Sequence, residues 1–272
     1  MININKDNIE KLINEKLSIK EISLKLNINY NTLLRFCKKN NLKSHIGSKG
    51  AKKHTINEDY YETIDTEDKA YWLGFLAADG NIHASVKGKP INRIQINLKL
   101  ADIEQLEHFQ KAIGSNYEIE KKDVNGSMVA QLKINCTKMC NDLISNNITP
   151  KKSLTVIMPN NLPSELIRDY IRGYFDGDGN IKNYYDKNNR HRYNFNIVGG
   201  IDMLTQIQEN IPCSTYIYKL KRNSEIFSLE TTKRENMIII YNYLYNDATV
   251  FLKRKKDIFD NLLSRLTEMQ GQ

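Results

Sequence analysis

Apolar residues recur at helical spacing over residues 7–15, 19–26 and 30–39, where Ile9, Leu12, Ile13, Ile19, Ile22, Leu26, Ile28, Leu33 and Leu34 supply a small core. Ser18 and Glu21 form a capping-box pattern at the start of the second block. Leu26-Asn27-Ile28-Asn29 reads as a tight turn, with Asn27 a residue type that tolerates a left-handed backbone. This is helix-turn-helix spacing, and it predicts a small all-α domain over residues 1–42. Tyr30, Asn31, Thr32, Arg35, Lys38 and Lys39 fall on the outer side of the third helix, where amides, hydroxyls and cations meet base edges and phosphates. Asn31, Thr32 and Arg35 are its foremost DNA-binding candidates. Residues 43–58, with Gly47, Ser48, Gly50 and several lysines, read as a basic linker.

Beyond the linker the pattern changes and then repeats. A short apolar helix pattern ending at Asp79-Gly80 precedes a strictly alternating strand, Arg93-Ile-Gln95-Ile-Asn97-Leu-Lys99. A second, ending at Asp178-Gly179, precedes Arg192-Tyr-Asn194-Phe-Asn196-Ile. The polar series lie 99 positions apart, the offset that also separates Asp79 from Asp178. Ile94, Ile96 and Leu98 point inward, and Arg93, Gln95, Asn97 and Lys99 project together from the other face, as Arg192, Asn194 and Asn196 do in the second copy. Neither strand face carries an acid, and these side chains suit guanine and adenine edges in a major groove. Helix patterns at Leu106-Phe109-Ile113 and Leu204-Ile207-Ile211 follow, then further strands. Met128 to Asn135 presents Gln131 and Lys133, and a hairpin over Tyr216–Arg222 and Ile226–Thr232 presents Lys219 and Lys221. Closing helices are expected at Lys138–Ser145 and Glu235–Tyr245. The result is an α+β chain in which αββαββα occurs twice, over residues 59–160 and 161–272.

The two repeated motifs read Trp72-Leu-Gly-Phe-Leu-Ala-Ala-Asp79-Gly80 and Ile171-Arg-Gly-Tyr-Phe-Asp-Gly-Asp178-Gly179. Small residues four positions apart, Gly74 with Ala78 and Gly173 with Gly177, would let two such helices cross with backbones nearly touching. Asp79 and Asp178 would then meet at two helix C-termini, a repulsive arrangement that a divalent cation relieves. Mg2+ suits one or two carboxylates with water and a phosphate. Both segments resemble the doubled signature of the LAGLIDADG homing endonucleases in single-chain form. Trp72 and Ile171 stand for the family's first leucine, Arg172 for its first alanine, and Ala77 for the sixth-position acid that the second copy keeps as Asp176. These departures touch packing more than chemistry.

The resemblance implies a DNA-binding saddle of two pseudo-symmetric halves that hydrolyses one phosphodiester bond in each strand of a long, nonpalindromic duplex target, acting as a monomer. It makes Asp79 and Asp178 the catalytic acids and, with Gly80 and Gly179, the site of Mg2+ or Mn2+. The family also places a catalytic-pocket lysine after each closing helix. Lys152 and Lys255 match best, with Lys151 and Lys253 as close rivals. Homing of a mobile intron or free-standing gene is the implied role. Alternatives on the same fold are a non-catalytic transcriptional regulator, which would usually lose the acids, and an intron maturase.

Composition adds three constraints. The 272 residues carry a net charge of +8, and all of it lies in front: residues 1–56 hold 12 Lys/Arg against 4 Asp/Glu, and the remainder balances at 28 against 28. This favours a polyanionic partner for the leading domain. Cys37, Cys136, Cys140 and Cys213 lack zinc spacing and read as reduced thiols, and His45, His54, His83, His108 and His191 are scattered, as expected for surface or linker positions. The N-terminus lacks a signal-peptide pattern, and the most apolar stretch, Met237 to Tyr245, is too short to span a bilayer. A cytoplasmic protein of a bacterial or phage-infected cell, not secreted, is expected. An intein is not, since neither a splicing nucleophile at Met1 nor a His-Asn terminus is present.

Overall fold

Three short helices begin the chain: α1 (Lys6–Asn14), α2 (Ile19–Lys25) and α3 (Tyr30–Lys39). The computed structural model describes residues 5–15, 17–42, 54–83, 91–220 and 225–268. Asn5, Ser18 and Asn29 cap the three helices through their side chains, Ser18 with Glu21 in the expected capping box. Asn27 takes the left-handed turn at φ 52°. Ile9, Leu12, Ile13, Ile22, Ile28, Leu33 and Cys37 close a core of their own. Leu34, expected in that core, is only half-buried, and Cys37 with Phe36 fills the space instead.

The chain divides into two compact units after His54. Residues 55–58, read as linker from sequence, already belong to the second unit: Asn57 donates its amide to the Ile113 carbonyl at 2.9 Å, and Thr55 to the Asn116 side chain at 2.8 Å. Of the rest of the expected linker, His54 ends the first unit and residues 43–53 lie outside the described residues.

In the second unit, the first repeat runs α4 (Glu67–Asp79), β1 (Gly80–Ile82), β2 (Arg93–Lys99), α5 (Ile103–Ala112), β3 (Ile119–Val124), β4 (Ser127–Asn135) and α6 (Thr137–Ser145). The second runs α7 (Ile167–Asp178), β5 (Gly179–Tyr185), β6 (His191–Gly199), α8 (Ile201–Asn210), β7 (Tyr216–Lys219), β8 (Phe227–Thr231) and α9 (Arg234–Tyr245). Each repeat builds one four-stranded antiparallel sheet, in the orders β1-β2-β4-β3 and β5-β6-β8-β7. The alternation in β2 buries Ile94, Ile96 and Leu98 against the helices, and β6 buries Tyr193, Phe195 and Ile197 in the same way. One hydrophobic core runs through both repeats. A last helix, α10 (Lys253–Glu268), follows the second repeat. The sequence reading stopped at α9 and saw only a basic cluster there.

The helices α4 and α7 carry the seam between the repeats. A Cβ at Gly74 would lie 2.0 Å from the Tyr170 carbonyl oxygen, and one at Gly173 1.9 Å from that of Tyr71. Gly74 matches Gly173 and Tyr71 matches Tyr170 at the repeat offset, so the two contacts are reciprocal and the pairing is isologous. Lower down, a Cβ at Gly177 would come within 2.3 Å of the Ala78 Cβ. The small residues are therefore required by backbone contact rather than by helix propensity, which disfavours glycine.

Arg172 breaks the symmetry. It is fully buried in the seam, where it donates to Asp169 at 2.7 Å, Glu67 at 2.7 Å, and the carbonyls of Leu244 and Val250 at 3.0 and 2.9 Å. Every desolvated donor group thus has a partner, which offsets the large cost of burying the guanidinium. Glu67 also accepts from the Thr249 amide at 2.8 Å, so the start of α4 holds the loop that leads into α10. Gly173→Ala is expected to force α4 and α7 apart and to lower stability by about 3 kcal/mol or more. Denaturant melts of the two proteins measure this, and an unchanged midpoint would mean that the helices separate freely.

Candidate active site

Both motif helices end at their aspartates, and α4 and α7 bring those ends together. Asp79 lies against the last turn of α7, its carboxyl carbon 3.5 Å from where a Cβ on Gly177 would stand. Burial, with Asp178 next in weight, pushes the Asp79 carboxyl up to about 6, against the opposing pull of Lys255 and Lys152. Burial also raises Asp178, again opposed by Lys152 and Lys255. The adjoining glycines serve packing. Each has an extended backbone, and a Cβ would meet the Leu76 carbonyl oxygen at 2.6 Å from Gly80 or the Phe175 ring at 2.1 Å from Gly179.

Two buried lysines close this site from below. Lys152 is 6% exposed and donates to the Ala78 carbonyl at 2.9 Å. Lys255 is 4% exposed and donates to the carbonyls of Phe175, Asp176 and Gly177 at 2.5, 2.8 and 3.3 Å. Ala78 and Gly177 are equivalent at the repeat offset, so each lysine caps the C-terminal carbonyls of the motif helix in its own repeat. Burial lowers both ammonium groups to about 8, while the neighbouring carboxylates hold them up.

The rival lysines stand elsewhere. Lys151 takes a left-handed turn at φ 61° and is exposed, which swings Lys152 inward on a short 3-10 turn. Lys253 is exposed on α10 and pairs with Asp257 at 2.6 Å. Lys255, Phe259 and Leu262 share one buried stripe of α10 at positions i, i+4 and i+7. That spacing was available in the sequence once a helix was drawn there.

Two further acids contribute: Asp176, read from the sequence only as a retained motif position, and Asp102, which the sequence reading did not single out. Asp176 is buried, and its carboxylate accepts from Tyr71 at 2.8 Å, Tyr245 at 2.9 Å and the Leu252 amide at 2.6 Å, fixing the residue just before α10 and thereby Lys255. Ala77 stands at the matching place in the first repeat, so this brace exists on one side only. Asp102 forms a two-point pair with Arg254 at 3.1 Å for each bond and adds a further negative field on Asp79.

The expected reading residues of β2, β4 and β6 share outer sheet faces, and most are already paired there. Lys219 does not, because its register opposite Phe227 puts it on the side of Ile217 and Leu229, leaving Tyr216 and Tyr218 on the outer face of β7. Arg93 donates to Asn135 at 3.1 Å, and Gln95 and Gln131 both donate to Asn97, at 3.2 and 2.7 Å. Lys133 pairs with Glu120 at 3.1 Å. Gln131, at 9% exposure, is mostly covered. Lys99 and Lys219 are exposed at strand ends. In the second sheet Arg192 pairs with Asp186 at 2.9 Å, Asn194 donates to Glu230, and Asn180 donates to Asn196 at 3.2 Å. Lys221 lies outside the described residues. In the leading unit, Asn31, Thr32 and Arg35 are all exposed on α3.

The acid-free faces expected from β2 and β6 hold for those strands alone, because β3 and β8 add Glu120 and Glu230. Sheet pairing decides this, and strand order could not be read from either segment by itself. Neither His83 nor His191 lies in a linker: His83 joins the outer face of the first sheet, where it meets Gln95 at 3.1 Å, and His191 lies on the Tyr193 side of β6, stacked on Tyr185 with centroids 4.9 Å apart.

Two carboxylates among backbone carbonyls form a hard-oxygen donor set. No group of three or more His, Cys, Asp or Glu residues suited to a metal occurs among the described residues. Mg2+ needs no such group, since it takes one or two carboxylates and completes its shell with water and substrate phosphate. The residues present therefore fit the expected ion. No helix among the described residues is long and apolar enough to cross a membrane.

No protein-family description matches this sequence, and no curated protein sequence is similar to it. Solved structures are similar in fold. Meganuclease I-SmaMI bound to uncleaveable DNA shares 13% identity at a TM-score of 0.53, over 77% of this chain and 91% of that one. LAGLIDADG meganuclease I-AabMI bound to uncleaved DNA shares 12% at 0.53, over 74% and 91%. LAGLIDADG homing endonuclease I-GzeII in complex with its DNA target shares 13% at 0.52, over 77% and 92%. With two αββαββα repeats joined at paired motif helices, the chain has the fold of the LAGLIDADG homing endonucleases.

Proposed function

We propose that this chain is a site-specific, Mg2+-dependent endonuclease that cuts both strands of a long, nonpalindromic DNA target, one strand at each of two pseudo-symmetric sites. The observation that carries the reading is the meeting of Asp79 and Asp178 at two helix C-termini, each end capped by a buried lysine. A binding protein gains nothing from burying two repelling carboxylates beside two desolvated ammonium groups, whereas perturbed acids and bases of this kind mark catalytic sites.

Asp79 and Asp178 would hold the divalent ion, whose chemistry there is to make a bound water acidic and to neutralise charge on the scissile phosphate. The chain's own residues do the remainder. The carboxylates orient water for in-line attack, and Lys152 and Lys255 lie beneath as proton-bearing groups poised near physiological pH. In their charged form they stabilise the developing negative charge. The sheet faces would lie on the duplex and supply sequence preference, and α3 would extend the footprint with Asn31, Thr32 and Arg35. As a monomer with non-identical repeats, the protein suits a target without a twofold axis.

Three outcomes are expected. Asp79→Asn and Asp178→Asn each keep duplex binding and reduce Mg2+-dependent cleavage by about 10³-fold or more, read as supercoiled, nicked and linear plasmid carrying the target. Full cleavage by either variant would overturn the assignment. Stability should move the opposite way. Because Asp79 titrates at about 6 rather than near its ordinary 3.8, the folded state holds that proton more tightly than the unfolded chain does. The stability so gained is complete below the lower value and is lost as pH rises through the upper. Asp79→Asn stays neutral throughout, so without metal at pH 7.5 it should be more stable by on the order of 2 kcal/mol. That gain should shrink as the pH falls towards 4, and melts across this range would show it. Finally, Arg35→Ala should weaken binding of the target and reduce the slope of log affinity against log salt by about 1, leaving the single-turnover cleavage rate of bound DNA unchanged.

A further inference from the structure

The second sheet holds a feature that a uniformly basic reading surface does not explain. Glu230, on the central strand β8, lies within a groove of about 650 Å3 lined by Lys182, Tyr184, Asn194, Asn196 and Tyr218 among others. Its carboxylate accepts from the Tyr218 hydroxyl at 2.5 Å and from the Asn194 amide. Register places it beside Asn196 on β6 and Tyr216 on β7. The matching position in the first repeat, at the same 99-residue offset, is Gln131, which is paired with Asn97 in the same register.

The two halves thus differ at one equivalent site by a carboxylate for an amide. An amide both donates and accepts, and Gln131 uses both ends: it donates to Asn97 at 2.7 Å and accepts from Lys122 at 2.9 Å. A carboxylate only accepts, and its two oxygens offer about four lone-pair directions, of which Tyr218 and Asn194 occupy two and the Tyr216 hydroxyl approaches a third. The direction left open needs a donor. Phosphate oxygens are repelled, and so are guanine O6 and N7. Adenine offers an amino group but sets an N7 acceptor beside it. Cytosine presents its N4 amino group in the major groove with no adjacent acceptor, and is the base that Glu and Asp recognise there.

Tyr218 and Asn194 hold the carboxylate in place, which lowers the entropy lost on contact. The exposed rings of Tyr184, Tyr216 and Tyr218 surround it, and the first sheet has no exposed tyrosine among its described residues. Aromatic rings suit the apolar edges of pyrimidines more than phosphates.

Resting on the proposed function, we infer that Glu230 is a specificity-determining residue that selects cytosine at one position of the half-site bound by the second repeat. The pseudo-symmetric position in the other half-site, under Gln131, lacks that preference.

The test is a binding selection from a randomised duplex pool with the full-length protein in EDTA, followed by sequencing, for the wild type and three variants. In the wild type, one position of one half-site should favour cytosine by about tenfold over the other bases. Glu230→Gln should lose that preference at that position alone, with an unchanged melting temperature. Tyr218→Phe keeps the carboxylate and should retain the cytosine preference. Gln131→Glu should create a cytosine preference at the mirrored position of the opposite half-site. If the wild type selects a defined target and Glu230→Gln selects the same one with every base preference intact, Glu230 is only a brace for Tyr218 and Asn194, and the inference fails while the nuclease reading stands. If the wild type enriches no sequence, both fail together.

Discussion

Everything in the larger unit is arranged around one contact: two helix backbones touching at glycine. At Gly74 and Gly173 there is no room even for a methyl group, because each faces the carbonyl oxygen of a tyrosine on the other helix. The reciprocity of these contacts sets a pseudo-twofold relation between the repeats, and from it follow the placement of both sheets on one continuous core and the meeting of the helix ends. Close backbone packing admits few alternative registers. A shift of one residue would set Leu73 or Phe75 where only glycine fits.

That contact has an electrostatic consequence. Two helix C-termini, each with unsatisfied carbonyls, arrive together with a carboxylate on each. The chain answers with Lys152 and Lys255, drawn in from two different parts of the sequence to cap those carbonyls. The balance is incomplete, since Asp79 still holds its proton up to about 6. A site of this kind is strained in charge rather than in geometry, and it is relieved by what binds there. The same feature that would make it chemically competent weakens the unliganded fold, a familiar tension between function and stability.

The two repeats are alike in architecture and unlike in support. Asp176, with Tyr71, Tyr245 and the Leu252 amide, anchors the approach to α10, and Arg172 with Glu67 and Asp169 fills the seam beside it. In the first repeat, Ala77 occupies the place of Asp176. The sheet faces diverge similarly, amide-rich with Gln131 in one and tyrosine-lined around Glu230 in the other. Divergence of this sort suits two halves that meet different chemical surfaces.

The sequence by itself determined the repeat, the element order within it, the capping of the leading helices and the two motif aspartates, because these rest on local periodicity and on short-range hydrogen bonding. Alternation in Arg93–Lys99 and the Ser18-to-Glu21 box need no distant partner to be read. The tertiary structure decided what depends on residues far apart in the chain: that Lys152 rather than Lys151 turns inward, that Glu230 lies beside Asn194, that Asp176 reaches Tyr71, and that α10 delivers Lys255 beneath α7. Leu34 was misplaced for the same reason, since a helix has more than one apolar-looking edge and only its neighbours choose which is covered. Periodicity says which face of an element is apolar; which side chains meet across a core is settled by packing between elements, and that information is spread over the whole chain.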